Sequence, residues 1–278
     1  MKYAFNSWAY SSFPSWLPSY PLEETIRRLA RIGYDGIEIG CAAPHAWPAY
    51  LGAERRRELR QLMEGEGLPA VSLLPAPGGG PGHNPASPLK EEREATILHY
   101  CDVVDLAADF GAQLVLYIAG WQVYGSTRQD CLAWTQDALT RIAKHAADQG
   151  IVIAIEPTAA DSNLIDTPHQ ALELMRAVGA PNVKTMFDTY HALYRDDVSA
   201  DHVRILGKDL AHIHLADTDR GAPGDGTVDW LGVLQAVKDI GFAGYLTMET
   251  GFHARAVEPD AYARRGLAYM KALETQLV

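Results

Sequence analysis

Short apolar runs alternate with longer amphipathic stretches along the whole chain. The apolar runs are residues 2–8, 35–40, 69–74, 113–119, 151–156, 183–188, 210–215 and 244–249. Most are near-continuous, the pattern of strands buried on both faces of a parallel sheet. Between and after them, residues 22–32, 53–66, 91–110, 129–148, 168–178, 199–206, 231–240 and 260–275 predict helices. Pro21 opens the first helix and Gly33 follows its end, the asymmetry that helix termini favour. Strict alternation implies a parallel sheet, and eight units close it into a (β/α)8 TIM barrel with its site at the C-terminal ends of the strands. One barrel accounts for residues 1–278 as a single domain.

Composition fits this picture and narrows the function. With 47% apolar and 21% charged residues, the chain has ample core for one globular domain. Its net charge of −11 weighs against nucleic acid, because phosphate backbones demand clustered Lys and Arg. Here the basic residues are spread along helices, as in RRLAR and ERRRELR. Three cysteines without close pairing read as reduced thiols in a cytoplasmic protein. Neither a secretory h-region nor a membrane span is expected, since no apolar run is long enough. The run PAPGGGPGHNPASP, residues 75–88, holds too much glycine and proline for helix or strand and is expected to act as a lid over the mouth.

Four polar residues stand where the apolar runs end. Glu156, Asp188 and Glu249 close the fifth, sixth and eighth runs. In the seventh, His212 and His214 share a face, and His214 sits at the strand's end. A buried carboxylate is costly unless it is paired or bound to metal. The spacings of 32, 26 and 35 residues put one of the four on each consecutive strand, so all of them meet at the C-terminal mouth. Three carboxylates and an imidazole, without thiolates, suit a divalent ion such as Mn²⁺, Co²⁺, Mg²⁺ or Zn²⁺ in a catalytic setting. Such an ion polarises a carbonyl and its neighbouring hydroxyl and makes the α-carbon proton removable. Glu156 and Glu249 lie on strands three apart in the ring and approach a bound substrate from different sides, which suits proton exchange between its faces. His212, one layer deeper, and Lys184 read as packing residues of the barrel interior and bottom. Trp16, His45, Trp47, Trp121 and Tyr124 fall in mouth loops, where aromatics stack on sugars or pack loops and subunits together.

These residues, with His191 three after Asp188 and Arg220 six after His214, resemble the metal-dependent ketose 3-epimerases. Those enzymes belong to the sugar phosphate isomerase/epimerase group of xylose isomerase-like TIM barrels. The motifs GYDGIEIG with PHAW, EP with DSNL, FDTYH, HIHLADTD, PGDG, and METG followed by EPDAYARRGLAYMKAL are most similar to the fructoselysine 3-epimerase and D-tagatose/D-psicose 3-epimerase branches. The resemblance covers nearly the whole chain. It implies inversion at C3 of a ketose or ketosamine through a cis-enediolate, with Glu156 and Glu249 as the acid/base pair. Both would also be metal ligands, together with Asp188 and His214, and His191 and Arg220 would meet the substrate's carbonyl end. It further implies one divalent ion per chain, Mn²⁺ foremost, and a homodimer or homotetramer. The family carries a second Glu six residues after the first; Ser162 stands there, and Asp161 is expected to contact the substrate instead.

Related chemistry on the same scaffold includes aldose–ketose isomerisation and cleavage of 3-keto C-glycosides by the catalytic subunit of a C-glycoside deglycosidase, which needs a small partner chain. Abasic-site endonucleases of the superfamily look for three metals and extra histidines, against one four-ligand set and an acidic chain here. The loops after the seventh and eighth strands bring only Arg220 and Arg255 as cations, which favours a neutral over a phosphorylated sugar.

Overall fold

A computed structural model of the chain describes residues 1–11, 18–76, 82–251 and 257–277. Trp16, Arg255 and residues 77–81 of the expected lid lie outside the described residues. Eight parallel strands close into a barrel in sequence order, β1 to β8. They are β1 Lys2–Asn6, β2 Gly36–Cys41, β3 Ala70–Pro75, β4 Leu114–Ile118, β5 Val152–Glu156, β6 Val183–Asp188, β7 Leu210–Leu215 and β8 Tyr245–Met248. The flanking α-helices are α1 Leu22–Ile32, α2 Ala53–Gly65, α3 Lys90–Phe110, α4 Arg128–Ala147, α5 Pro168–Val178, α6 Thr189–Tyr194, α7 Ser199–Leu206, α8 Trp230–Asp239 and α9 Pro259–Glu274. Local sequence fixes their ends. Gly33 closes α1 in the left-handed conformation at φ +100°, and Thr167 and Gln170 form a capping box at the start of α5.

Two elements differ from the sequence reading. The first strand stops at Asn6, whose side chain accepts the Trp8 N–H and turns the chain into a short 3-10 segment. Helix α6 had no counterpart in the sequence pattern: the Asp188 side chain accepts the Tyr190 N–H and starts a helical turn directly off β6.

The barrel interior is divided into two sides. Leu74, Leu114, Leu116, Ala154 and Met186 pack there as a cluster of their own, and Ala154 and Met186 share a face with Glu156 and Asp188 two residues later. The other side is polar. Asn6, Glu38 and Ser72 stand at matched positions on β1, β2 and β3, facing His212 and His214 of β7. Gly40, two residues after Glu38, is required by packing: a Cβ there would lie 1.7 Å from Trp8 Nε1. Lys184 donates to Asp209 Oδ1 at 3.0 Å, near the N-terminal end of the barrel.

Candidate metal centre and active site

The barrel brings the four strand-end residues together. Glu156 and Asp188 end β5 and β6, and Asp188 is in register with His214 of β7. Glu249 directly follows β8, where its N–H donates to Leu215 O at 3.1 Å. All four side chains are buried. The Nδ1 atom of His214 lies 3.7 Å from Glu156 Oε1 and 3.4 Å from Glu249 Oε2. It is buried and makes no hydrogen bond. One donor atom each from Asp188, His214 and Glu249 falls within a 4.8 Å span. An unpartnered imidazole nitrogen among three carboxylates is a donor set that fits a divalent cation.

The other nitrogen of His214 is held from below. Nε2 hydrogen-bonds Glu38 Oε1 at 2.8 Å. Glu38 is fully buried in mid-strand and also accepts from Asn6 Nδ2 at 2.7 Å and Ser72 Oγ at 2.6 Å. His212 Nε2 lies 2.8 Å from Glu38 Oε2, close but off the line of a hydrogen bond. Sequence reasoning passed over Glu38, although a carboxylate among the isoleucines of GYDGIEIG carries the same burial signal as the strand-end acids.

The three expected substrate contacts gather on the open side. His191, on α6, places Nε2 3.7 Å from Glu156 Oε1, 3.6 Å from Asp161 Oδ2 and 3.8 Å from Asp188 Oδ2. Its Nδ1 accepts the Ala160 N–H at 3.2 Å, so the ring proton sits on Nε2 and points at these carboxylates. Asp161, with its side chain 63% exposed, also lies 3.7 Å from Arg220 Nη2, which puts a carboxylate on this side without the second glutamate. Arg220 Nη1 donates to Asp188 Oδ2 at 2.7 Å and to Glu249 Oε2, and the guanidinium lies over the Tyr190 ring at 4.2 Å. The sequence reading gave Arg220 to the substrate; the structure sets it against two of the expected ligands.

The loop that presents Arg220 is built on Asp217. This buried carboxylate accepts the N–H groups of Thr218, Gly224 and Val228 and the Trp230 indole N–H. The network holds Asp219 and Arg220 in the left-handed region at φ +55° and +60°.

The surroundings push the acids apart. Burial raises Glu156 to about 7, reinforced by Glu249 and Asp188 and opposed by His214. Burial also acts to raise Glu249, but Arg220 and His214 outweigh it and hold that carboxyl below its ordinary value. Burial raises Asp188 despite Arg220. His214 is held well above the usual imidazole range because Glu38 and Glu249 outweigh its burial. Burial and Arg220 lower His191 to about 3, leaving it a neutral donor.

The remaining mouth residues are mostly structural. His45 is buried with Nε2 on Tyr20 O at 2.8 Å. Trp47 stacks on His99 at 4.8 Å and meets His83 edge-on. Tyr124 is fully exposed. Trp8, which the sequence reading did not select, covers Gly40 and packs on the apolar interior cluster. Of the expected lid, residues 84–87 are buried, and Asn84 is tied to Trp121 in both directions, with Nδ2 donating at 2.9 Å and Oδ1 accepting at 3.1 Å. That half of the run is anchored, which confines any lid to fewer residues than the sequence reading assigned.

The family model described as "Xylose isomerase-like TIM barrel" matches residues 26–273. The chain belongs to this family. Fructoselysine 3-epimerase of Shigella flexneri is 25% identical over 91% of this chain and 93% of its own length. D-Psicose 3-epimerase of Ruminiclostridium cellulolyticum is 28% identical over 81% of this chain and 76% of its own. Among solved structures, D-psicose 3-epimerase with D-tagatose from Clostridium cellulolyticum superposes with a TM-score of 0.83, at 22% identity, covering 98% of this chain and 99% of that one. A 3-keto-D-glucoside 4-epimerase from E. coli superposes at 0.82, with 20% identity over 98% of this chain and 99% of that one. These two structural likenesses speak for the shared barrel. Among the described residues, no helix is long and apolar enough to cross a membrane.

Proposed function

We propose that this protein is a divalent-metal-dependent sugar epimerase that inverts C3 of a ketose or ketosamine. The observation that carries the reading is the unpartnered, buried Nδ1 of His214 facing Glu156 and Glu249 beside Asp188. Full-length similarity to a fructoselysine 3-epimerase and substantial similarity to a D-psicose 3-epimerase support the reaction class. Glu156, Asp188, His214 and Glu249 would hold the ion, for which Mn²⁺ is our first choice. When bound, the ion supplies Lewis acidity toward a carbonyl and its neighbouring hydroxyl.

The residues of the chain move the protons. Glu156 and Glu249 flank the same imidazole from strands on either side of β7, so one can take the C3 proton while the other returns a proton to the far face of the planar enediolate. Their environments differ: burial raises Glu156 to about 7, whereas Arg220 and His214 hold Glu249 below the usual carboxylate range. His191 points its Nε2–H into the open side, where it can donate to a substrate oxygen. Asp161 and Arg220 line the same side. Because Arg220 is committed to Asp188 and Glu249, it is poorly placed to bind a phosphate, and we favour a neutral sugar.

The test assays purified protein, its metal content measured, against free ketoses, ketosamines and 3-keto glycosides. Loss of activity on chelation and recovery with Mn²⁺, on a ketose or ketosamine, is expected. Activity retained without metal, with Arg220 alone balancing the carboxylates, would reject the reading.

A further inference from the structure

We infer that Glu38 is a positioning residue for the metal centre: by taking the His214 Nε2–H it leaves Nδ1 as the nitrogen that faces the ion. The inference rests on the metal-binding reading above. A histidine can offer either nitrogen to a metal, and the hydrogen bond at one nitrogen decides which is available at the other. Here Nε2 is 2.8 Å from Glu38 Oε1, and Nδ1 is the nitrogen near Glu156 and Glu249. Glu38 is an acceptor. Both of its oxygens accept from neutral donors, Oε1 from Asn6 Nδ2 and Oε2 from Ser72 Oγ, the pattern of an ionised carboxylate. A carboxylate has no proton to give, so the one shared with His214 lies on Nε2.

The rest of the cluster fixes Glu38 rather than offering a second ion site. Asn6 Nδ2 and Ser72 Oγ each donate to one of its oxygens, at 2.7 and 2.6 Å. His214 and His212 then approach one oxygen each at 2.8 Å. Glu38, His212 and His214 do form a donor group compact enough for a cation. Their direct contacts, however, leave no gap for an ion, and both carboxylate oxygens already accept from neutral donors. The same strand geometry serves both ends of the ring. Glu38 stands in register with Asn6 and Ser72 at mid-barrel, one layer beneath the mouth, where it can brace an imidazole that reaches up from β7. Carboxylates in this role typically contribute about 10- to 100-fold to metal affinity.

The test measures metal affinity, by chelator competition with Mn²⁺ and Zn²⁺, for the full chain and for Glu38→Gln. Ser72→Ala serves as a control that trims the same network without touching His214. Binding should weaken about 10- to 100-fold in Glu38→Gln and change much less in Ser72→Ala, while the circular dichroism of the variants stays that of the parent. A wild type that binds the ion alongside a Glu38→Gln variant of equal affinity overturns the positioning role and leaves the metal reading standing. A wild type that takes up no ion overturns both. Should Glu38→Gln fail to fold, the ¹⁵N spectrum of Zn²⁺-loaded, histidine-labelled wild type decides: His214 should keep its proton on Nε2 and carry the metal shift on Nδ1, and the reverse pattern refutes the inference.

Discussion

Replacing Asp217 by Asn changes one atom in a buried carboxylate that organises the loop bearing Arg220. Its Oδ1 accepts from Thr218 and Val228, and its Oδ2 accepts from Gly224 and the Trp230 indole. In the amide one of these oxygens becomes an NH2 group facing two N–H donors, so two hydrogen bonds are lost whichever way the amide turns. At about 1.5–3 kcal/mol for a bond to a charged group, the loss is roughly 3–6 kcal/mol. Against a total stability of about 5–15 kcal/mol for a typical protein, this is a large fraction. The left-handed Asp219 and Arg220 each oppose the loop by roughly 1–2 kcal/mol, a cost the Asp217 hydrogen bonds help to offset. Urea unfolding at unchanged m-value should therefore show a clearly lower midpoint, and kcat/KM should fall as Arg220 loses its placement. A variant within about 1 kcal/mol of wild type would show that the loop does not depend on Asp217.

Three further outcomes are expected. Glu156→Gln and Glu249→Gln, each assayed after metal analysis, should lose inversion by about 100-fold or more, as removal of a general base usually costs; a metal-loaded variant at the wild-type rate contradicts the assigned roles. Metal affinity should fall as pH drops. The raised His214 and Glu156 hold protons that binding must displace, and each costs up to about tenfold per pH unit once the pH lies below that group's own value, so a flat profile from about pH 7 to 5 in competition titrations counts against these ligands. Gly40→Ala should drive Trp8 off the barrel wall and lower thermal stability, because its Cβ would fall 1.7 Å from the indole nitrogen; unchanged melting would show that the indole has another place to go.

Much of the fold and the centre of the site was legible in the sequence, for one physical reason. Near-continuous apolar strands leave few places for a charged residue, so Glu156, Asp188, His214 and Glu249 stand out at strand ends. What escaped notice depends on contacts between distant segments. Glu38 sits mid-strand, and only the closed ring shows that it faces His214 from 176 positions away. The short α6 helix has no amphipathic period; it exists because Asp188 caps it, and it carries His191 into the site. The role of Asp217 needed the shape of its loop, which composition does not reveal. Asp161 was legible by its place beside the missing glutamate, and the structure sets it near both His191 and Arg220. The glycine–proline run was read as one lid, but Asn84 anchors its second half through a contact to Trp121 that no local pattern encodes.

The most direct test of two-carboxylate inversion is solvent isotope incorporation at the inverted carbon. Metal-loaded wild type is incubated with a turned-over ketose or ketosamine in D₂O, and the product is read by NMR. On the proposed mechanism Glu156 and Glu249 exchange protons with water between turnovers, so deuterium should appear at C3 of the epimer. Inversion with no deuterium at that carbon would mean that the proton never passes through these carboxylates.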